Sequence, residues 1–92
     1  MPSNSETKLS SSRRARKRSD IDITARILNE AREGARKTHI MYRCNLSHKQ
    51  LQVYLKLLLG IKLLRSHSNV YKTTVKGLFF LDKYRTLKDF MI

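Results

Sequence analysis

A chain of 92 residues with 40% hydrophobic content is one small domain with a modest core. Twenty Lys and Arg against seven Asp and Glu give a net charge of +13 and a pI near 10.5. Self-repulsion on that scale points to a polyanionic partner, nucleic acid first and an anionic membrane surface second. The densest apolar run, residues 51–64, is broken by two lysines and a glycine, so a membrane span is not expected. The N-terminal basic residues have no apolar stretch behind them, which argues against a signal peptide. Cys44 is the only cysteine, so no intrachain disulfide forms. It reads as a small buried hydrophobe in a reducing, intracellular setting, and a cytoplasmic location is expected.

Residues 1–18 are rich in Ser, Lys and Arg, with only Met1, Leu9 and Ala15 as apolar residues. Such a segment cannot bury enough surface to offset ordering entropy and is expected to be a disordered tail. It ends in RRARKR, where Arg13, Arg14, Arg16, Lys17 and Arg18 are expected to lie along phosphates.

The folded domain is expected over residues 19–92. Ser19 suits a helix N-cap, with Asp20 and Asp22 in the first turn, where the helix dipole favours negative charge. Ile23, Ile27, Leu28 and Ala31 make the apolar stripe of this first helix, and Gly34 supplies a left-handed stop. A short second helix fits 38–44, capped by Thr38, with Ile40 and Met41 inward. Asn45 and Leu46 then link to a third helix over 47–59. Ser47 and Gln50 have capping-box spacing, Leu51, Tyr54, Leu55 and Leu58 form a buried face, and Gly60 is read as the stop. Beyond Leu63 and Leu64, RSHSN followed by VYKTT predicts a hairpin with its tip at Ser68 and Asn69. Thr74 caps a last helix towards Ile92.

Helix, helix, helix, hairpin, helix is a mainly α (α+β) arrangement. A short turn between the second and third helices, followed by a two-stranded wing, is the winged helix-turn-helix plan. From about Asp22 to Phe90 the chain also resembles an archaeal winged helix-turn-helix family of small chromatin-associated proteins and predicted transcription regulators. The matching residues are Ile27-Leu28, Ala31-Arg32-Glu33-Gly34, Thr38, Ile40-Met41-Tyr42, Asn45-Leu46-Ser47, Tyr54-Leu55-Lys56, Leu58, Tyr71-Lys72-Thr73-Thr74 and Lys76-Gly77. The resemblance implies binding of duplex DNA, often with little sequence preference, and dimerisation through the C-terminal helix.

The charge pattern points the same way. Between Gly34 and Leu81 there is no Asp or Glu, yet there are nine Lys and Arg. With the leucines of the third helix buried, its outward stripe is Lys49, Gln52, Val53 and Lys56, with His48 near the start. In a major groove, Gln52 suits adenine, Lys49 guanine and Val53 a thymine methyl, while Lys56 suits phosphate. No arginine offers a bidentate contact on this stripe, so weak sequence discrimination is expected. Thr38 and His39 at the start of the second helix, and Arg43 beside the turn, are candidates for backbone phosphates. Arg65, His67, Asn69 and Lys72 are the candidates on the wing.

Phe80, Tyr84, Leu87 and Met91 recur at spacings of four, three and four, which makes a short coiled-coil seam and a homodimer surface. His39, Cys44 and His48 lack metal-finger spacing, and no metal or other cofactor is expected. No nucleophile–base set or phosphate-cradling loop is present, so the expected role is binding rather than catalysis. The alternative partner is RNA or a ribosome, held by the RRARKR tail.

Overall fold

A computed structural model of the chain describes residues 19–91. The expected basic tail, including Arg13, Arg14, Arg16, Lys17 and Arg18, therefore lies outside the described residues. The elements in chain order are α1 (Asp20–Glu30), β1 (Ala35–Arg36), α2 (Lys37–Arg43), α3 (His48–Gly60), β2 (Leu64–His67), β3 (Val70–Thr73) and α4 (Val75–Met91). The three strands form one antiparallel sheet in the order β1-β3-β2.

The helix starts follow local chemistry. The Ser19 hydroxyl accepts from the Asp22 N–H at 3.1 Å and opens α1. At α3, the Gln50 N–H donates to Ser47 Oγ at 3.1 Å and the Ser47 N–H donates to Gln50 Oε1 at 2.9 Å, a complete capping box. Thr74 Oγ1 accepts from the Gly77 N–H at 3.0 Å and starts α4. Thr38 does not play this part. The N-cap of α2 is Arg36, which makes no side-chain cap bond, and Thr38 already lies within the helix. The reason is β1: Ala35 and Arg36 pair with Tyr71 and Val70, so the extended backbone that precedes a helix ends at Arg36.

The ends depart further from expectation. Gly60 is still helical, and the left-handed residue is Lys62, with φ 68°. The Leu63 N–H reaches back to Leu58 O at 2.9 Å, and the Lys62 N–H to Leu59 O at 3.2 Å. This is the Schellman closure, built on a lysine. It turns the chain so that Leu63 and Leu64 enter the core. The link after α2 closes in the same way, with Asn45 at φ 54° and the Leu46 N–H bonded to Met41 O at 3.0 Å. Asparagine tolerates that conformation well.

The core is continuous. Ile27, Leu28, Ile40, Cys44, Leu51, Leu58 and Leu64 are fully buried, and Leu81 brings α4 onto them. Each leucine or isoleucine so buried contributes about 1.5–3 kcal/mol relative to exposure. Thr73 binds the sheet to α1: its hydroxyl donates to Leu28 O at 2.6 Å, and its N–H donates to Ala31 O at 3.0 Å. Those carbonyls lie at the end of α1, where the helix itself supplies no donors. Gly77 lets α4 approach the loop before β2, because a Cβ there would collide with Leu63 O.

Candidate nucleic-acid interface

The hairpin turns on Ser68 and Asn69, with φ 51° and 67°. Two successive positive φ values define the primed two-residue turn that matches strand twist. This fixes the register, and with it the wing chemistry: Leu64 faces Thr73, Arg65 faces Lys72, Ser66 faces Tyr71 and His67 faces Val70. Leu64 and Thr73 are buried, so the alternate positions Arg65, His67 and Lys72 are turned to the other, exposed face.

On α3, burial of Leu51, Leu55 and Leu58 leaves His48, Lys49, Gln52, Val53 and Lys56 exposed. Val53 is 63% exposed, a β-branched apolar side chain presented to solvent among polar neighbours. Gln52, Val53, Lys56 and Tyr71 line a shallow groove between α3 and β3, where the helix stripe meets the sheet face opposite to Arg65, His67 and Lys72. No acidic residue occurs between Gly34 and Leu81 to interrupt them.

Thr38, His39 and Arg43 are also exposed on α2. Two of them are engaged, however. Glu30 Oε1 lies 3.6 Å from both His39 Nε2 and Arg43 Nε. The other acids of α1 are likewise turned inward on the chain. Asp20 accepts from the Tyr54 hydroxyl at 2.6 Å and Asp22 from the Tyr84 hydroxyl at 2.5 Å, with Lys88 Nζ 3.6 Å from the same carboxylate. Tyr84 above all, then Ser19 and Lys88, hold the Asp22 carboxyl below the ordinary aspartate range, and the Tyr84 phenol is raised in return. The acids thus serve as clasps between helices, which leaves the α3 and wing surfaces to the cations.

Two exposed residues that the sequence reading passed over border this surface. Arg36 stands on β1, and Tyr42, 86% exposed, shares a groove with Arg36, Thr38 and His39. Nothing in the local sequence marks Arg36, because its position follows from a strand pairing made only in the folded chain. An aromatic residue among basic ones was the available signal for Tyr42.

On α4 the expected seam divides. Phe80 and Tyr84 are half-buried against the chain's own core, their rings stacked at 6.5 Å between centroids. Leu87 and Met91 are 53% and 73% exposed, and Phe90 is 86% exposed beside them. The helix faces its own core through Gly77 and Leu81. Among the described residues no helix is long and apolar enough to cross a membrane.

A short helix, a tight turn, a capped helix, a two-stranded wing and a closing helix define a winged helix-turn-helix module. Sequence comparison agrees: the family model described as winged helix-turn-helix matches residues 17–91, and the chain belongs to that family. Among solved structures, Sso10a-2, a DNA-binding protein from Sulfolobus solfataricus, is similar, with a TM-score of 0.65 over 80% of this chain and 85% of that one. The two are 20% identical, so this likeness speaks for the fold. No curated protein matches the chain by sequence.

Proposed function

We propose that this protein binds double-stranded DNA with modest sequence preference, as a transcription regulator or an architectural chromatin factor in the nucleoid. The observation that carries the reading is a stretch from α2 through the wing without a single acid, in which Lys49, Gln52, Val53 and Lys56 are exposed on α3 and Arg65 and Lys72 are exposed on the wing. In this reading α3 enters the major groove. Gln52, Lys49 and Val53 meet base edges, while His48 and Lys56 flank them. Arg65, His67, Asn69 and Lys72 hold the backbone from the wing, and Thr38, His39 and Arg43 from α2. The tail cations Arg13, Arg14, Arg16, Lys17 and Arg18 follow phosphates beyond the domain. The similar DNA-binding protein from Sulfolobus supports the choice of DNA. The role is binding, not catalysis.

The exposed end of α4 supports a homodimer, with Leu87 and Met91 forming the contact and Phe80 and Tyr84 bracing it from within the domain. Sedimentation at micromolar concentration tests this, and a monomer with and without DNA refutes it.

The decisive experiment is a titration against duplex DNA, duplex RNA and single strands at several salt concentrations, repeated without residues 1–18. Tightest binding to duplex DNA that survives the deletion supports the assignment. Preference for RNA, lost with the tail, replaces it with an RNA-anchored role. Gln52→Ala is expected to change the sequence preference, and an unchanged preference removes α3 from the base edges.

A further inference from the structure

We propose that the groove between α1 and α4 binds a small organic anion, with an apolar body on the Ala25–Leu81 floor and a carboxylate or phosphate head among Arg26, Arg85 and Lys88. The groove encloses about 420 Å³. Ligand pockets begin at about 300 Å³, and they combine an apolar floor with a few convergent polar groups. Both features are present. Ala25 and Leu81, 5% and 6% exposed, form the base, and the three cations and Asn29 stand around it.

The groove is more positive than the two helices that form it, whose acids and bases balance. All six acids of residues 19–91 lie on α1, on α4 or in the turn after α1, yet Asp22 alone of them lines the groove. Asp22 is already satisfied by the Tyr84 hydroxyl and sits 3.6 Å from Lys88. Arg26 donates to Arg43 O at 3.2 Å through one guanidinium nitrogen, which leaves its other donors. The Arg85 guanidinium makes no hydrogen bond or ion pair with any described residue. An unpaired guanidinium over an apolar floor suits an anionic head with bidentate geometry. The Tyr84 phenol, occupied by Asp22, contributes its ring as a wall rather than a donor, with Lys88 5.8 Å from the ring centroid. A bound anion would bridge α1 and α4, and so would bear on how the exposed end of α4 is held.

The test uses the full chain in an amide NMR titration with benzoate, which supplies a carboxylate on an apolar ring. Acetate (head without body) and benzyl alcohol (body without head) serve as controls at constant ionic strength. Saturable benzoate shifts centred on Ala25, Asn29 and Arg85, with weaker binding of both controls, are expected. Arg85→Gln should weaken binding about tenfold, the loss of one charge-assisted hydrogen bond, while Lys49→Gln on α3 leaves it unchanged. Shifts that stay linear to the solubility limit overturn the proposal. So do acetate binding as tight as benzoate, shifts confined to α3 and the wing, or indifference to Arg85→Gln in a variant whose spectrum shows it folded.

Discussion

Arg65 and Lys72 stand directly opposite each other across the wing, two cations in one cross-strand pair. Like charges in that position oppose folding by about 0.2–1 kcal/mol. A double-mutant cycle on Arg65→Ala and Lys72→Ala should therefore return a repulsive coupling of that size in chemical denaturation, and it should shrink as salt rises. On duplex DNA, each single change should reduce the log–log salt slope by about 0.9 and weaken all sequences alike. Unchanged slopes for both variants would remove the wing from the interface.

Glu30 restrains two candidate phosphate ligands at once, through its 3.6 Å approaches to His39 and Arg43. Glu30→Gln keeps the shape and removes the carboxylate charge from beside both side chains. DNA affinity should rise by about 0.2–1 kcal/mol, the usual worth of an exposed pair, with a steeper salt dependence. Weaker binding by the folded variant would mean that the pairs position His39 and Arg43 for phosphate rather than withholding them.

The end of α3 offers a test of conformation alone. Gly60 is helical with open space where a Cβ would go, and Lys62 carries the left-handed turn at φ 68°. Gly60→Ala and Lys62→Gly should each stabilise the fold by about 0.5–1 kcal/mol, read as a rise in the denaturant midpoint. Were Gly60 the stop, Gly60→Ala would lower it instead.

The clasp between Asp22 and Tyr84 sets a pH dependence at both extremes. The Asp22 carboxyl is lowered in the fold, so its contribution is present above the unfolded value and is lost as pH falls below about 4. The Tyr84 phenol is raised, so its contribution is complete below the unfolded value and is lost as pH climbs beyond about 10. Tyr84→Phe should flatten both limbs of a melting-temperature profile relative to the parent chain. A profile that still falls as steeply in acid and alkali would show that the clasp adds no stability.

Much of this fold is written locally. Ser19, Ser47 with Gln50, and Thr74 each announce a helix start with hydrogen bonds spanning three residues, and all three are made. Ser68 and Asn69 likewise mark the wing turn, because a two-residue hairpin needs positive φ at both positions. The outward stripe of α3 was legible for the same reason, since burying one face of a helix exposes the other. The features that escaped were non-local. β1 is two residues long and exists only because Tyr71 and Val70, far along the chain, pair with it. That pairing also moved the cap of α2 from Thr38 to Arg36.

The sequence by itself determined where α1, α3, α4 and the wing turn begin and that residues between Gly34 and Leu81 carry only positive charge, because caps, turns and charge are properties of near neighbours. Tertiary structure decided the rest. It placed the left-handed residue at Lys62 rather than Gly60 because Leu63 and Leu64 had to reach the core. It turned the acids of α1 into clasps on Tyr54, Tyr84, His39 and Arg43, and drew Phe80 and Tyr84 towards the domain while leaving Leu87 and Met91 outside. Which partner a side chain finds depends on packing between distant segments, and no local pattern encodes that.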